Sequence, residues 1–279
     1  MTNKTNVFLL ALGLLVLAQP ALAGRSVTEL PWSESFNAND YSDLVWVTQG
    51  ATHTWLPTGG WNGSGGAKFT PPNAEGYSGI GQVLLGGDLR PTQLNVRFLI
   101  YHGRAWSQLS GGGKLMILNR EGNRDRPMLI YGEYPSNYGV NVWDSIAPCN
   151  GTVCRHEGGD YWPNGRETFR IGNGTTGIAN QWICVEIEAN ARTGAIKLYI
   201  DVPNRRTLKL ETSTSTGGTF AMMDILGGYM NRGNAKADPE NYFVIDELAF
   251  STSRIGPPVG FGKRPSGSPS SATVLPRVQ

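Results

Sequence analysis

Helical periodicity, long apolar runs and an excess of either charge are what this sequence lacks. No long stretch repeats its apolar residues at the helical spacing, so an amphipathic-helix architecture is excluded. Beyond the N-terminus no segment approaches the roughly 20 apolar residues of a membrane helix, and a membrane partner is not expected. Charge is sparse and balanced: 24 Lys and Arg against 22 Asp and Glu give a formal +2, or +1 without residues 1–23, which carry one Lys and no acid. Such a chain has no basic face for phosphates, so a nucleic-acid partner is not expected either. Histidine is scattered at His53, His102 and His156, and only Cys149, Cys154 and Cys184 are present, which gives no zinc-type ligand set.

What is present begins with the pattern of a secretory signal. Lys4 precedes the apolar run Val7 to Leu17, and Ala21-Leu22-Ala23 forms an Ala-x-Ala cleavage site. We expect removal of residues 1–23 and a secreted protein, extracellular or periplasmic. No cysteine follows the cut, which argues against a lipid anchor. In an oxidising compartment Cys149 and Cys154, flanking the turn-forming Asn150-Gly151, are expected to form a short-loop disulfide. Cys184 falls in a strand pattern and reads as a small buried hydrophobe.

The 37 Gly and 17 Pro imply many tight turns between short strands, hence an all-β fold. Alternation locates the strands. In Asn95–Tyr101, Val96, Phe98 and Ile100 share one face and Arg97, Leu99 and Tyr101 the other. Residues 114–120 and 127–131 read as a hairpin across a polar loop. In 181–189, Ile183, Val185 and Ile187 oppose Trp182, Cys184, Glu186 and Glu188. After a turn at 190–194, Ile196, Leu198, Ile200 and Val202 oppose Lys197, Tyr199 and Asp201. Strands at 206–211 and 242–250 complete the pattern. Gly59–Gly66 is too glycine-rich for a regular element, and 133–177 reads as a long aromatic loop region; long ordered loops are often functional. The expected organisation is one sandwich domain over 24–256 and a disordered tail over 257–279.

Several segments resemble the concanavalin A-like lectin/glucanase superfamily, the laminin-G-type jelly roll. These are Ser33-Glu34-Ser35-Phe36, then Gln181-Trp182 to Glu186 with Thr193-Gly194 to Asp201, and the closing run Tyr242 to Thr252. Gly111-Gly-Gly-Lys114-Leu115 resembles a segment of jelly-roll polysaccharide lyases. The resemblance implies a two-sheet antiparallel jelly-roll sandwich that binds a polysaccharide or other glycan across a concave sheet. It also implies a structural Ca²⁺, for which Glu34 and Asp246 are the candidate ligands. Two departures stand out. The Glu-x-Asp-x-x-Glu strand of laminarinase-type glucanases is reduced to Glu186 and Glu188, and Met116-Ile117 stands where Pro-Gly usually follows Lys-Leu in the lyases.

Alternation puts Arg97, Tyr101, Lys114, Arg120, Tyr131, Glu186, Glu188, Lys197 and Tyr199 on non-core faces. If their strands shared one sheet, that face would suit a glycan, since aromatic rings stack on sugars and Arg or Lys pair with uronate or sulfate. The plain alternative is a solvated face with cross-strand ion pairs. Glu186 and Glu188 project about 6.7 Å apart, within the range of a glycosidase pair. A lyase instead needs a cation to neutralise the uronate, a base for the C5 proton and an acid for the leaving oxygen. Arg97 or Arg120 could neutralise, Tyr101, Tyr131 or His102 could move protons, and Lys114 could do either. Trp106 and Trp143, in or near loops, are candidate sugar-stacking residues. Asn62, Asn150 and Asn173 head glycosylation sequons. The expectation is thus a secreted glycan-recognising jelly roll, with a lyase of acidic glycans and a surface scaffold as alternatives.

Overall fold

The computed structural model describes residues 26–39, 44–47, 52–70, 77–78, 80–103, 113–122, 125–131, 137–144, 168–170, 180–203, 207–213, 216–230 and 242–262. Two eight-stranded antiparallel sheets account for most of them. The first sheet runs, in spatial order, β14 (Leu208–Ser213), β13 (Ala195–Asp201), β12 (Trp182–Asn190), β7 (Gln93–His102), β16 (Phe243–Ser251), β4 (Gly66–Thr70) and β3 (Thr52–Leu56), with β1 (Trp32–Glu34) also on β16. The second runs β11 (Thr168–Arg170), β10 (Asn137–Asp144), β9 (Asp125–Tyr131), β8 (Gly113–Glu121), β15 (Thr219–Met230), β6 (Ile80–Leu84) and β2 (Leu44–Val47), with β5 (Tyr77–Ser78) on β15. This is the expected all-β sandwich. No helix among the described residues is long and apolar enough to cross a membrane.

The core lies between the sheets and is built by the period-2 alternation. Leu94, Val96, Phe98 and Ile100 of β7, Ile183, Val185 and Ile187 of β12, and Ile196, Leu198 and Ile200 of β13 face Met116 and Leu118 of β8 and Phe220 and Met223 of β15. Phe243, Ile245, Leu248 and Phe250 of β16 join them. Each such side chain contributes about 1.5–3 kcal/mol by leaving water. The β12–β13 turn closes on its own chemistry: Asn190 Oδ1 accepts the amides of Arg192 at 2.9 Å and Thr193 at 3.1 Å, and Gly194 takes the left-handed conformation at φ 72°.

β16 changes partners half-way along. Phe243–Ile245 pair with β4, whereas Leu248–Phe250 pair with β1, while β7 stays alongside throughout. The ladder with β7 shifts register between Asp246 and Ala249, and Glu247 sits there at φ 52°. This bulge turns Glu247 outward over Arg97. Beyond β16 the chain does not leave the domain. Residues 252–262 form a strap that reaches across the outer face of the first sheet. Order therefore extends past residue 256: Phe261 donates its amide to Pro258 at 2.9 Å and its ring lies 6.0 Å from Trp61. This corrects the expected start of the disordered tail at 257; residues 263–279 lie outside the described residues.

Candidate functional site

Register places the outward side chains of the first sheet in four rows. The first is Lys68–Val244–Tyr101–Trp182, across β4, β16, β7 and β12. The second is Asp246–Leu99–Cys184–Asp201. The third is Ala249–Arg97–Glu186–Tyr199 and the fourth Ser251–Asn95–Glu188–Lys197. Five sequence-derived candidates on this face, Arg97, Glu186, Glu188, Lys197 and Tyr199, thus meet in two adjacent rows, with Tyr101 at the far end.

The strap closes over the middle of this face. Glu186 Oε1 accepts the Ile255 amide at 2.7 Å and Oε2 the Gly256 amide at 2.9 Å, with Arg254 Nε 3.8 Å away. The Arg254 guanidinium lies 4.1 Å over the Tyr199 ring. Leu99 and Cys184 are fully buried beneath, so the chain builds a thin second core on the outside of the sheet, and burial drives the Cys184 thiol far above its ordinary pKa. Glu186 is 1 % exposed and Arg97 6 % exposed. The expectation that these two face an open groove is corrected: the strap supplies the amide partners that a buried carboxylate requires. Glu188 keeps an exposed edge, but its Oε1 accepts from Lys197 Nζ at 2.8 Å and Oε2 from the Tyr199 hydroxyl at 3.4 Å. That bond raises the Lys197 pKa. A two-carboxylate pair open to a substrate does not exist here.

The remaining candidates lie elsewhere. Lys114, Arg120, Tyr131 and Trp143 belong to the second sheet, so the nine polar candidates do not share one face. Lys114 sits opposite Ile130 and Gly228, and Tyr131 opposite Gly113 and Tyr138. Arg120 corrects its expected orientation. It lies opposite the core residue Phe220, is buried, and donates from Nη1 to the Gly217 carbonyl at 3.2 Å. His102 also faces inward, edge-on to Phe243 at 5.2 Å, and burial holds its pKa well below the ordinary value. Trp106, Cys149 and Cys154 lie outside the described residues.

Glu34 and Asp246 are brought near each other by the β1–β16 ladder, Glu34 lying opposite Leu248. At least three of their four oxygens accept hydrogen bonds. Asp246 Oδ2 accepts from the Trp61 amide at 2.8 Å and the Ser64 hydroxyl at 2.7 Å, Oδ1 accepts the Glu247 amide at 2.7 Å, and Glu34 Oε1 accepts the Phe36 amide at 2.6 Å. Among the described residues no group of three or more His, Cys, Asp or Glu could hold a metal. Through these hydrogen bonds Asp246 anchors the loop around Trp61. That loop explains the glycine run: a Cβ on Gly60 would collide with the Gly65 carbonyl, and one on Gly65 with the Phe36 carbonyl.

The first row offers a different chemistry. The Tyr101 ring lies 5.6 Å from Trp182 and 6.4 Å from Tyr242, near-parallel to the latter, and Lys68 Nζ is 4.2 Å over Tyr242. The Tyr101 hydroxyl pairs with the Asn180 amide oxygen at 3.3 Å. Tyr101, Trp182 and Lys68 are partly exposed, Asn180 is exposed and Tyr242 is buried. Alternation identified Tyr101; it also turned Trp182 outward, but the contribution of Lys68 and Tyr242 depends on β4 and β16 being the next strands, which no local pattern shows.

No family model matches the chain, and no curated protein matches it. Solved structures share a likeness of shape. The alginate lyase vAL-1 from Chlorella virus is 10 % identical, over 74 % of this chain and 92 % of that one, at a TM-score of 0.46. The alginate lyase Aly36B is 14 % identical, over 83 % and 100 %, at 0.46. The cellulose induced protein Cip1 is 12 % identical, over 81 % and 100 %, at 0.49. At these values nothing about activity or substrate follows for this chain.

Proposed function

We propose that this is a secreted glycan-recognising domain that lays a sugar chain on the aromatic row of its first sheet. The observation that supports this is the pair of partly exposed rings Tyr101 and Trp182, backed by the buried Tyr242 and edged by Lys68 and Asn180. Rings of this kind stack on sugar faces, and the flanking cation and amide supply directional contacts. Binding rather than cleavage is favoured because Glu186, Glu188 and Asp246 are held by the strap, by Lys197 and by the Trp61 loop respectively. The test is affinity electrophoresis of the purified chain in gels containing acidic and neutral polysaccharides. Retardation by at least one polymer, weakened by Trp182→Ala, is the expected result. No retardation in any gel would leave a scaffold role.

A further inference from the structure

A pocket of about 310 Å³ opens on the outer face of the first sheet, where β1, β16 and β7 meet the strap. Arg97 lines it, together with Ser33 of β1, Ala249 and Ser251 of β16 and Ile255 of the strap. It lies two rows away from the aromatic group, beyond the buried Leu99 and Cys184.

The electrostatics of Arg97 are incomplete. A buried guanidinium demands a close acceptor, ordinarily at about 2.7–2.9 Å from a carboxylate. The Glu186 carboxylate stands across from Arg97 in the β7–β12 ladder but gives its oxygens to the strap amides. The one ion pair Arg97 makes among the described residues is to Glu247 Oε2, at 3.5 Å from Nη2, and its buried Nε has no hydrogen-bond partner. Asn95, the next outward residue on β7, is fully buried with neither Nδ2 nor Oδ1 bonded. Such a concentration of unsatisfied buried groups is uncommon in folded proteins. Ser33, exposed at the mouth, adds a hydroxyl.

We propose that this pocket is a binding site for a small monocarboxylate, up to the size of a single sugar acid, held by the Arg97 guanidinium. The fork of Arg97 matches a planar carboxylate. One cation partly offset by Glu247 suits a single negative charge and disfavours a dianion. The apolar wall at Ala249 and Ile255 excludes water from one side of the pair, and the serines offer hydroxyl partners to a polyol. The inference is independent of the aromatic row, since it names different residues and a different ligand chemistry.

Glucuronate and glucose are the probes, titrated into the full chain by calorimetry; they differ in the carboxylate alone. Glucuronate is expected to bind and glucose to bind at least about tenfold more weakly. Glu247→Gln removes the competing carboxylate and is expected to tighten glucuronate severalfold. Arg97→Gln is expected to abolish binding. Should Arg97→Gln unfold, Ser33→Phe at the exposed mouth serves instead, and is expected to block glucuronate while leaving the melting temperature within a few degrees. Sulfate is expected to bind more weakly than glucuronate. Equal binding of glucuronate and glucose, no binding of either, or glucuronate binding indifferent to both Glu247→Gln and Ser33→Phe would each overturn the proposal. Loss of polysaccharide retardation in Trp182→Ala with glucuronate binding intact would separate this site from the aromatic one.

Discussion

Glu186 and Ile255 are joined across 69 residues of sequence by a 2.7 Å bond from the Ile255 amide to the Glu186 carboxylate, and Gly256 occupies the second oxygen at 2.9 Å. This contact fastens the C-terminal strap to the sheet. Glu186→Ala leaves two amides without their acceptor and opens the layer above Cys184. A loss of about 2–6 kcal/mol is expected in urea unfolding, at about 1–3 kcal/mol for each amide left without an acceptor. Alkylation of Cys184, read by peptide mass spectrometry, should accelerate in the variant. Unchanged labelling would mean that the strap is held by other contacts.

Asp246 should make stability depend on pH in an unusual direction. Burial raises its carboxyl from 3.8 to about 6, against the opposing hydrogen bonds from Ser64, Trp61 and Glu247. A folded state that holds its proton more tightly than the unfolded chain is favoured at low pH, and this contribution is lost as pH rises through about 4 to 6. Asp246→Asn removes the titration. Wild-type stability relative to the variant should therefore fall by up to about 3 kcal/mol between about pH 4 and pH 7, measured by denaturant melts at each pH. The variant also turns an amide donor toward donors, so a constant offset is superimposed; a difference independent of pH would show ordinary titration.

Two glycines in the Trp61 loop should respond very differently to alanine. Gly65 faces the Phe36 carbonyl, a backbone group that cannot yield, so Gly65→Ala is expected to cost about 1–3 kcal/mol or more. Gly63 has open space around it and only its φ of 80° to satisfy, so Gly63→Ala should cost about 1–2 kcal/mol. Midpoints of thermal unfolding compare them directly, and a more harmful Gly63→Ala would contradict the loop geometry.

The proposed aromatic row and the Glu188–Lys197 pair of the outer face should respond differently to substitution. Trp182→Ala should weaken glycan retardation about tenfold, as expected from losing one stacked ring. Lys197→Met breaks the ion pair to Glu188, whose Lys197 side chain is 33 % exposed, and should cost no more than about 1 kcal/mol without altering retardation. The small stabilisation from that pair is present below the ordinary lysine pKa and fades as pH rises through the raised one. Retardation that depends on Lys197 would move the glycan to the fourth row.

Strand alternation is local, and so the sequence by itself determined which residues of β7, β12 and β13 are core and which point out, as well as the Asn190–Gly194 turn between the last two. The pattern turned Cys184 outward and only its residue type suggested burial; it is fully buried on the outer face, in the row beside the strap-bound Glu186. Arg120 escaped this logic because its outward reading was wrong by one face, a matter decided by the neighbouring Phe220 of β15. Which strands lie side by side is not local. Only the tertiary structure placed Lys114 and Tyr131 in a different sheet from Arg97 and Glu186, and set Lys68 and Tyr242 beside Tyr101. The strap was equally illegible, because 254–256 carries no apolar period. It is held by backbone amides meeting the Glu186 carboxylate, and every residue other than proline has an amide to give.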